Sequence, residues 1–265
     1  MAIIDFHTHI FPDALAERAI TAMIENAPVM HNHTDGTLAG LKRSMAANGI
    51  DRSIILPVAT KLSQVATINS NSIDNSTDTV TFFGTLHPDS QDFVSEIARL
   101  KQAGIRGIKL HPEYQMFYFA DSKYYPMYEA IQDAGMLLIM HAGKDPAPMF
   151  SSDHAMPLDI KKVCAAFPRL KLIAAHMGGW RLWDRIEHEL AGENVFFDTA
   201  AVTGLIDPSL FVKLVRKHGA ERILFASDSP WFGQGASRDW IDALPLTSSE
   251  KEKIFFANAQ ALLNG

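Results

Sequence analysis

Apolar positions along the chain fall into short runs separated by stretches of helical spacing, and this alternation continues to the last residues. Residues 3–9 open on two isoleucines and pass into Asp-Phe-His-Thr-His, which predicts a short buried strand. Residues 12–25 carry apolar side chains at helical intervals, with Pro12 suited to a first turn. Residues 27–36 are polar, and Pro28, Asn32, Asp35 and Gly36 mark them as a loop. A helix over 41–48 stops at Gly49, and an apolar run at 53–58 follows. Strands at 80–86, 105–110, 136–140, 170–175, 195–198 and 223–227 then alternate with helices at 93–103, 124–134, 160–167, 182–190, 210–218 and 251–263. Residues 69–76, rich in Asn and Ser, read as a solvated helix face or loop, because the alternation resumes directly afterwards.

Eight such strands in 265 residues predict an α/β protein, a (β/α)8 TIM barrel, as one domain over 1–265. The alternative is a doubly wound open sheet. That fold puts a glycine-rich phosphate turn after its first strand, where this chain has His7-Thr8-His9.

The barrel reading gives the histidines a meaning. His7, His9, His87, His111, His141 and His176 all fall at predicted strand ends, where the loops of a barrel converge on one mouth. His7 and His9, two apart on a strand, share a face. Asp228 ends the eighth strand and meets the first where the barrel closes, and His141 faces them across the mouth. Three imidazoles and a carboxylate with room for water describe an open catalytic metal site of the zinc type. Asp5 has the parity of His7 and is expected to orient a ligand. A second His-x-His, His31-Asn32-His33, lies in the loop and reads as a decoy. His87 reads as packing, His111 as substrate contact or loop anchor, and Cys164 as a small core residue.

Composition narrows the partners. The net charge of −6 with mixed signs provides no basic field for nucleic acid or an anionic membrane. The single cysteine precludes an internal disulfide and suits a reducing compartment. No leader and no membrane-length apolar run is seen, so a cytoplasmic protein acting on a small molecule is expected, with homo-oligomerisation left open.

The ordered motifs resemble the amidohydrolase superfamily, in the branch of small metal-dependent hydrolases and decarboxylases related to aminocarboxymuconate semialdehyde decarboxylase. They are Ile-Asp-Phe-His-Thr-His at the start, Gly107-Ile108-Lys109-Leu110-His111-Pro112, His141, Ala174-Ala175-His176-Met177-Gly178-Gly179, Phe225-Ala226-Ser227-Asp228-Ser229-Pro230, and the closing helix from Ile254 to Leu263. The resemblance implies that His7, His9, His141 and Asp228 hold one divalent ion, zinc as the first expectation. His176 then holds or deprotonates the metal water and stays among the candidate ligands. It also implies a two-metal version in which Lys109 is carboxylated and bridges; the plain alternative is an uncarboxylated, substrate-binding lysine. Asp228, His176 and His111 are the candidate catalytic groups. Arg181 and Trp180 at the opening of the helix after the sixth strand, with Trp231 and Phe11, are the candidate substrate contacts. The function expected first is hydrolysis of a small carboxylated or cyclic amide, lactone or ester by a metal-activated water. Non-oxidative decarboxylation of a small aromatic or muconate-like acid is the alternative, and a catalytically silent metal-binding barrel a further one.

Overall fold

The computed structural model describes residues 1–27, 30–147 and 153–265; Pro28 of the expected loop lies outside the described residues. The strands are β1 (Ile4–Thr8), β2 (Arg52–Ile55), β3 (Val80–Phe82), β4 (Gly84–Thr85), β5 (Gly107–Leu110), β6 (Leu137–Met140), β7 (Lys171–Ala174), β8 (Phe196–Asp198) and β9 (Ile223–Leu224). All their pairings are parallel, β1 to β3 in one ladder and β4 to β9 in a second.

The strand expected at 80–86 is thus broken in two at Phe83, with β3 paired to β2 and β4 to β5. Phe83 keeps the ring continuous: its N–H donates to Ile55 O at 2.9 Å. Its aromatic ring lies where a side chain on residue 107 would go, since a Cβ there would come within 2.3 Å of it. Gly107 is what admits the ring. The other gap closes through Phe6 N–H to Phe225 O at 2.9 Å and Asp228 N–H to His7 O at 2.9 Å. The result is the expected (β/α)8 barrel.

Side chains of alternate parity fill two layers. Ile4, Phe6, Ile54, Leu56, Phe83, Leu137, Ile139, Ile173 and Leu224 form the inner cluster, joined by Ala259, Leu262 and Leu263 of the closing helix. The larger cluster packs strands against helices and includes Cys164, a buried free thiol as expected.

Three helical details differ from the pattern reading. Residues 69–75 lie in a helix, Val65–Asn75, as one of the two expected states had it, but its Asn69 and Ser72 are buried rather than solvated. Asn69 accepts from Thr85 N–H at 2.8 Å and donates to Thr85 O at 2.9 Å, so it hydrogen-bonds like a strand neighbour. A further helix, Gln234–Asp242, follows the last strand. The closing helix carries a π-turn, Lys253–Ala257, and its Ile254 O accepts from Phe225 N–H at 2.8 Å.

Candidate metal centre and cavity

β1 is the element the site depends on. Its register against β2 runs Asp5 to Ser53 and then Thr8 to Ile55, so one extra residue is inserted between them. This bulge re-aims the strand next to the site. It also breaks the parity that linked Asp5 to His7. The Asp5 carboxylate accepts from Ser227 N–H (2.9 Å), Ser227 Oγ (2.6 Å) and Gln234 Nε2 (2.8 Å), and burial pushes it up to about 6. Asp5 therefore braces the segment that leads into Asp228 and orients no ring. The expectation for Asp5 is corrected accordingly.

The residue that orients His7 is Asp198, at the end of β8. Its Oδ2 lies 2.8 Å from His7 Nδ1, while Oδ1 accepts the backbone N–H groups of His176 (2.8 Å) and Ala200 (3.1 Å). Burial opposes its charge, but His7 and these donors hold it down at about 2. His7 is pushed to about 3, chiefly by burial, so its imidazole is neutral. A carboxylate only accepts, so the His7 proton lies on Nδ1.

The same logic fixes His9. Its Nδ1 lies 2.9 Å from Leu56 O, a carbonyl that only accepts, so Nδ1 carries the proton there as well. The bare Nε2 atoms of His7 and His9 then face each other at 3.1 Å, with Asp228 Oδ1 at 3.5 Å from the first and 3.3 Å from the second. Three electron-pair donors converge with no proton between them. That donor set calls for a cation. The Lys109 ammonium, 3.3 Å from His7 Nε2, points into it. Burial lowers Lys109 to about 8. Asp228, opposed by burial but facing the His9 and His7 imidazoles, is held far below the carboxylate range. Asp228 and His176 both adopt positive φ, 72° and 61°, conformations that cost energy in a non-glycine residue and gather at functional sites.

His141 stands beside this group rather than in it. Its Nε2 lies 3.0 Å from Lys144 O, and its Nδ1 lies 3.0 Å from His176 Nε2, whose own Nδ1 is 3.0 Å from Ala200 O. Both outer nitrogens meet carbonyls, which only accept, so the proton of each neutral ring lies there and the two inner nitrogens turn lone pairs toward each other, a geometry that one added proton would bridge. Burial pushes both imidazolium forms down, His141 well below its usual range, so the resting rings are neutral and a proton taken up between them is easy to release.

His111, His141 and Asp145 also lie close enough to hold an ion. Their hydrogen bonds speak against it. His111 Nδ1 accepts from Tyr114 N–H at 3.3 Å, so the proton of a neutral ring is on Nε2, facing Asp145 Oδ2 at 3.7 Å. The His111 ring is stacked on Tyr114 at 3.8 Å and on His141 at 4.2 Å. Only the first group has its lone pairs turned inward.

Both groups open into a cavity of about 1060 Å³, with Phe11, Trp180 and Trp231 among its walls. Arg181 is not among its lining residues: it is exposed and lies over the Trp180 ring at 5.0 Å. The helix that follows, Trp183–Glu189, has no side-chain cap. His87 is buried away from the cavity and accepts from Asp89 N–H at 3.2 Å, in keeping with packing. His31 and His33 lie in the loop after the first helix. Asp198 and Asp145 carried no sequence expectation. A buried acid at a predicted strand end was the available signal for Asp198.

The fold and donor set thus define a barrel built to hold a cation at its mouth. A family model described as Amidohydrolase matches residues 4–265, and the chain belongs to that family. Gamma-resorcylate decarboxylase of Polaromonas sp. (strain JS666 / ATCC BAA-500) is 24% identical over 186 residues, 55% of this chain and 56% of that protein. The chain spans 38% to 56% of the length of the curated relatives it matches. Among solved structures, an uncharacterized TIM-barrel protein from Bordetella bronchiseptica superposes with a TM-score of 0.79 at 21% identity, covering 100% of this chain and 99% of that one. A dihydroxybenzoic acid decarboxylase from Polaromonas sp. JS666, with bound manganese and the inhibitor 2-nitroresorcinol, gives 0.73 at 17% identity, covering 99% and 97%. These likenesses concern the fold. Among the described residues no helix is long and apolar enough to cross a membrane.

Proposed function

We propose that this protein is a metal-dependent, non-oxidative decarboxylase of a small hydroxylated aromatic acid, the alternative of the sequence reading rather than its hydrolase. The decarboxylase relatives support the choice. The observation that carries it is the close approach of His141 Nδ1 and His176 Nε2, 3.0 Å apart, a pair built to take up one proton between its rings and to give it up readily. Hydrolysis begins by taking a proton from water, whereas decarboxylation ends by giving one to carbon.

His7, His9 and Asp228 would hold the divalent ion; manganese, as in the cited neighbour, and zinc are both compatible with imidazole and carboxylate donors. His141 joins that set only by releasing His176 and Lys144 O. When bound there, such an ion would supply positive charge to an acidic substrate and to the negative charge that develops on its ring. The chain does the rest. Asp198 keeps His7 in the ligating tautomer. Lys109, uncarboxylated in this reading, lends its positive charge to the anionic substrate. Phe11, Trp180 and Trp231 offer apolar walls to the ring. As the bond from ring carbon to carboxyl breaks and CO2 leaves, the carbon takes the one proton that the His141–His176 pair has taken up from solvent, and the pair returns to its neutral form.

The test is a parallel screen on metal-reconstituted protein: CO2 release from hydroxybenzoates against acid release from lactones, esters and amides. CO2 release that disappears on chelation and slows by ~100-fold or more in His176→Asn supports the proposal. Metal-dependent hydrolysis without CO2 overturns it.

A further inference from the structure

The cavity is larger than a single-ring acid needs, at about 1060 Å³ against the roughly 300–1,000 Å³ that drug-sized ligands occupy. Its extra volume has a definite direction. From His9 it passes over the end of β2 and continues along the helix Val65–Asn75, where Thr67, Ile68, Asn71, Ser72 and Asn75 line it. That spacing of three and four is one face of a helix, and at about 1.5 Å per residue it runs for ~12 Å. Leu15, Met23 and Leu38, from the two helices that precede β2, line it as well, as do Ile55 and Phe82, both buried. Thr67, Asn71, Asn75 and Lys42 are exposed and form the rim. The section is that of a trench: apolar below, polar above, open at the metal end to the site.

We infer that this trench is the subsite for an extended alkyl substituent of the substrate, so that the acid decarboxylated carries a linear apolar chain on its ring. The inference rests on the proposed function for the head group. Its own basis is the continuity of the trench with the centre and its apolar lining by Leu15, Met23, Leu38, Ile55, Ile68 and Phe82. A flexible hydrocarbon gains affinity from apolar lining at every methylene, and the polar rim leaves its outer side in water.

The experiment measures dissociation constants of metal-loaded protein for 2,6-dihydroxybenzoate and its 4-alkyl derivatives from methyl to dodecyl, with CO2 release from each. Affinity is expected to rise about fourfold per methylene and then level off once the chain outgrows ~12 Å. Leu38→Trp and Ile68→Trp, on different helices, should each flatten the rise while leaving the affinity and turnover of the unsubstituted acid within twofold. Two variants guard against one failing to fold. Equal affinity along the series, with the unsubstituted acid still bound and turned over, overturns the trench and spares the decarboxylase. A rise that persists unchanged in both variants overturns it too, as does a wild-type dimer dissociated by either substitution, which would make the trench a contact between copies. No binding and no CO2 from any acid overturns both proposals.

Discussion

Asp198→Asn separates the role of a negative charge from the role of a proton position. Asp198 Oδ1 accepts two backbone N–H groups, from His176 at 2.8 Å and Ala200 at 3.1 Å. In the asparagine variant only the amide oxygen accepts, so the oxygen must take that position and the NH2 must face His7 Nδ1. His7 would then accept at Nδ1 and carry its proton on Nε2, the atom 3.1 Å from His9 Nε2. One of three donors is lost without removal of a single ligand. Substitutions behind a ligand commonly cost 10- to 100-fold in metal affinity, and a tautomer reversal belongs at the upper end, about 2.7 kcal/mol. The metal-free fold should change by less than ~1 kcal/mol, since the hydrogen bonds persist and a buried charge is removed. Chelator competition with Mn(II) gives the affinity, urea unfolding of the metal-free protein gives the stability, and imidazole 15N shifts identify the tautomer. An affinity within threefold of wild type, or a His7 that keeps its Nδ1 proton, would refute the reasoning.

Two further predictions concern the frame around the site. His218 is fully buried, stacked on Phe197 at 3.9 Å and 2.8 Å from Val195 O, and burial lowers it to about 4. Above about pH 6.5 it is neutral folded and unfolded; below that the unfolded chain binds the proton first, so stability falls until about pH 4, by ~3 kcal/mol. His218→Gln cannot titrate, so its stability deficit against wild type should shrink by that amount between pH 7 and 4; a constant gap contradicts the assignment. Asn69→Ala leaves the N–H and C=O of Thr85 without their side-chain partner and should cost ~3 kcal/mol in urea unfolding, whereas a loss under 1 would show that water replaces it.

These residues mark where the sequence was readable. Strand order and the crowding of histidines at strand ends follow from local alternation, and both carry over into the barrel. The bulge between Asp5 and Thr8 does not, because it is defined only by the partner strand, and it misdirected Asp5. Asp198 acts on a histidine 191 positions away, a pairing no local pattern encodes. Asn69 in a polar run reads as solvated until the edge of β4 is seen to need it. The break at Phe83 depends in turn on the space left by Gly107. Arg181, attractive as an anion contact, turns back over Trp180 instead.

The account depends on lone pairs meeting at one point and not at its neighbour. Titrating metal-free protein with Mn(II), followed by electron paramagnetic resonance, tests this directly. Wild type and His111→Phe, which keeps a ring in the stack, should each bind one tight ion, and Asp228→Asn should lose it. Loss of the ion in His111→Phe, or its retention in Asp228→Asn, would contradict the account.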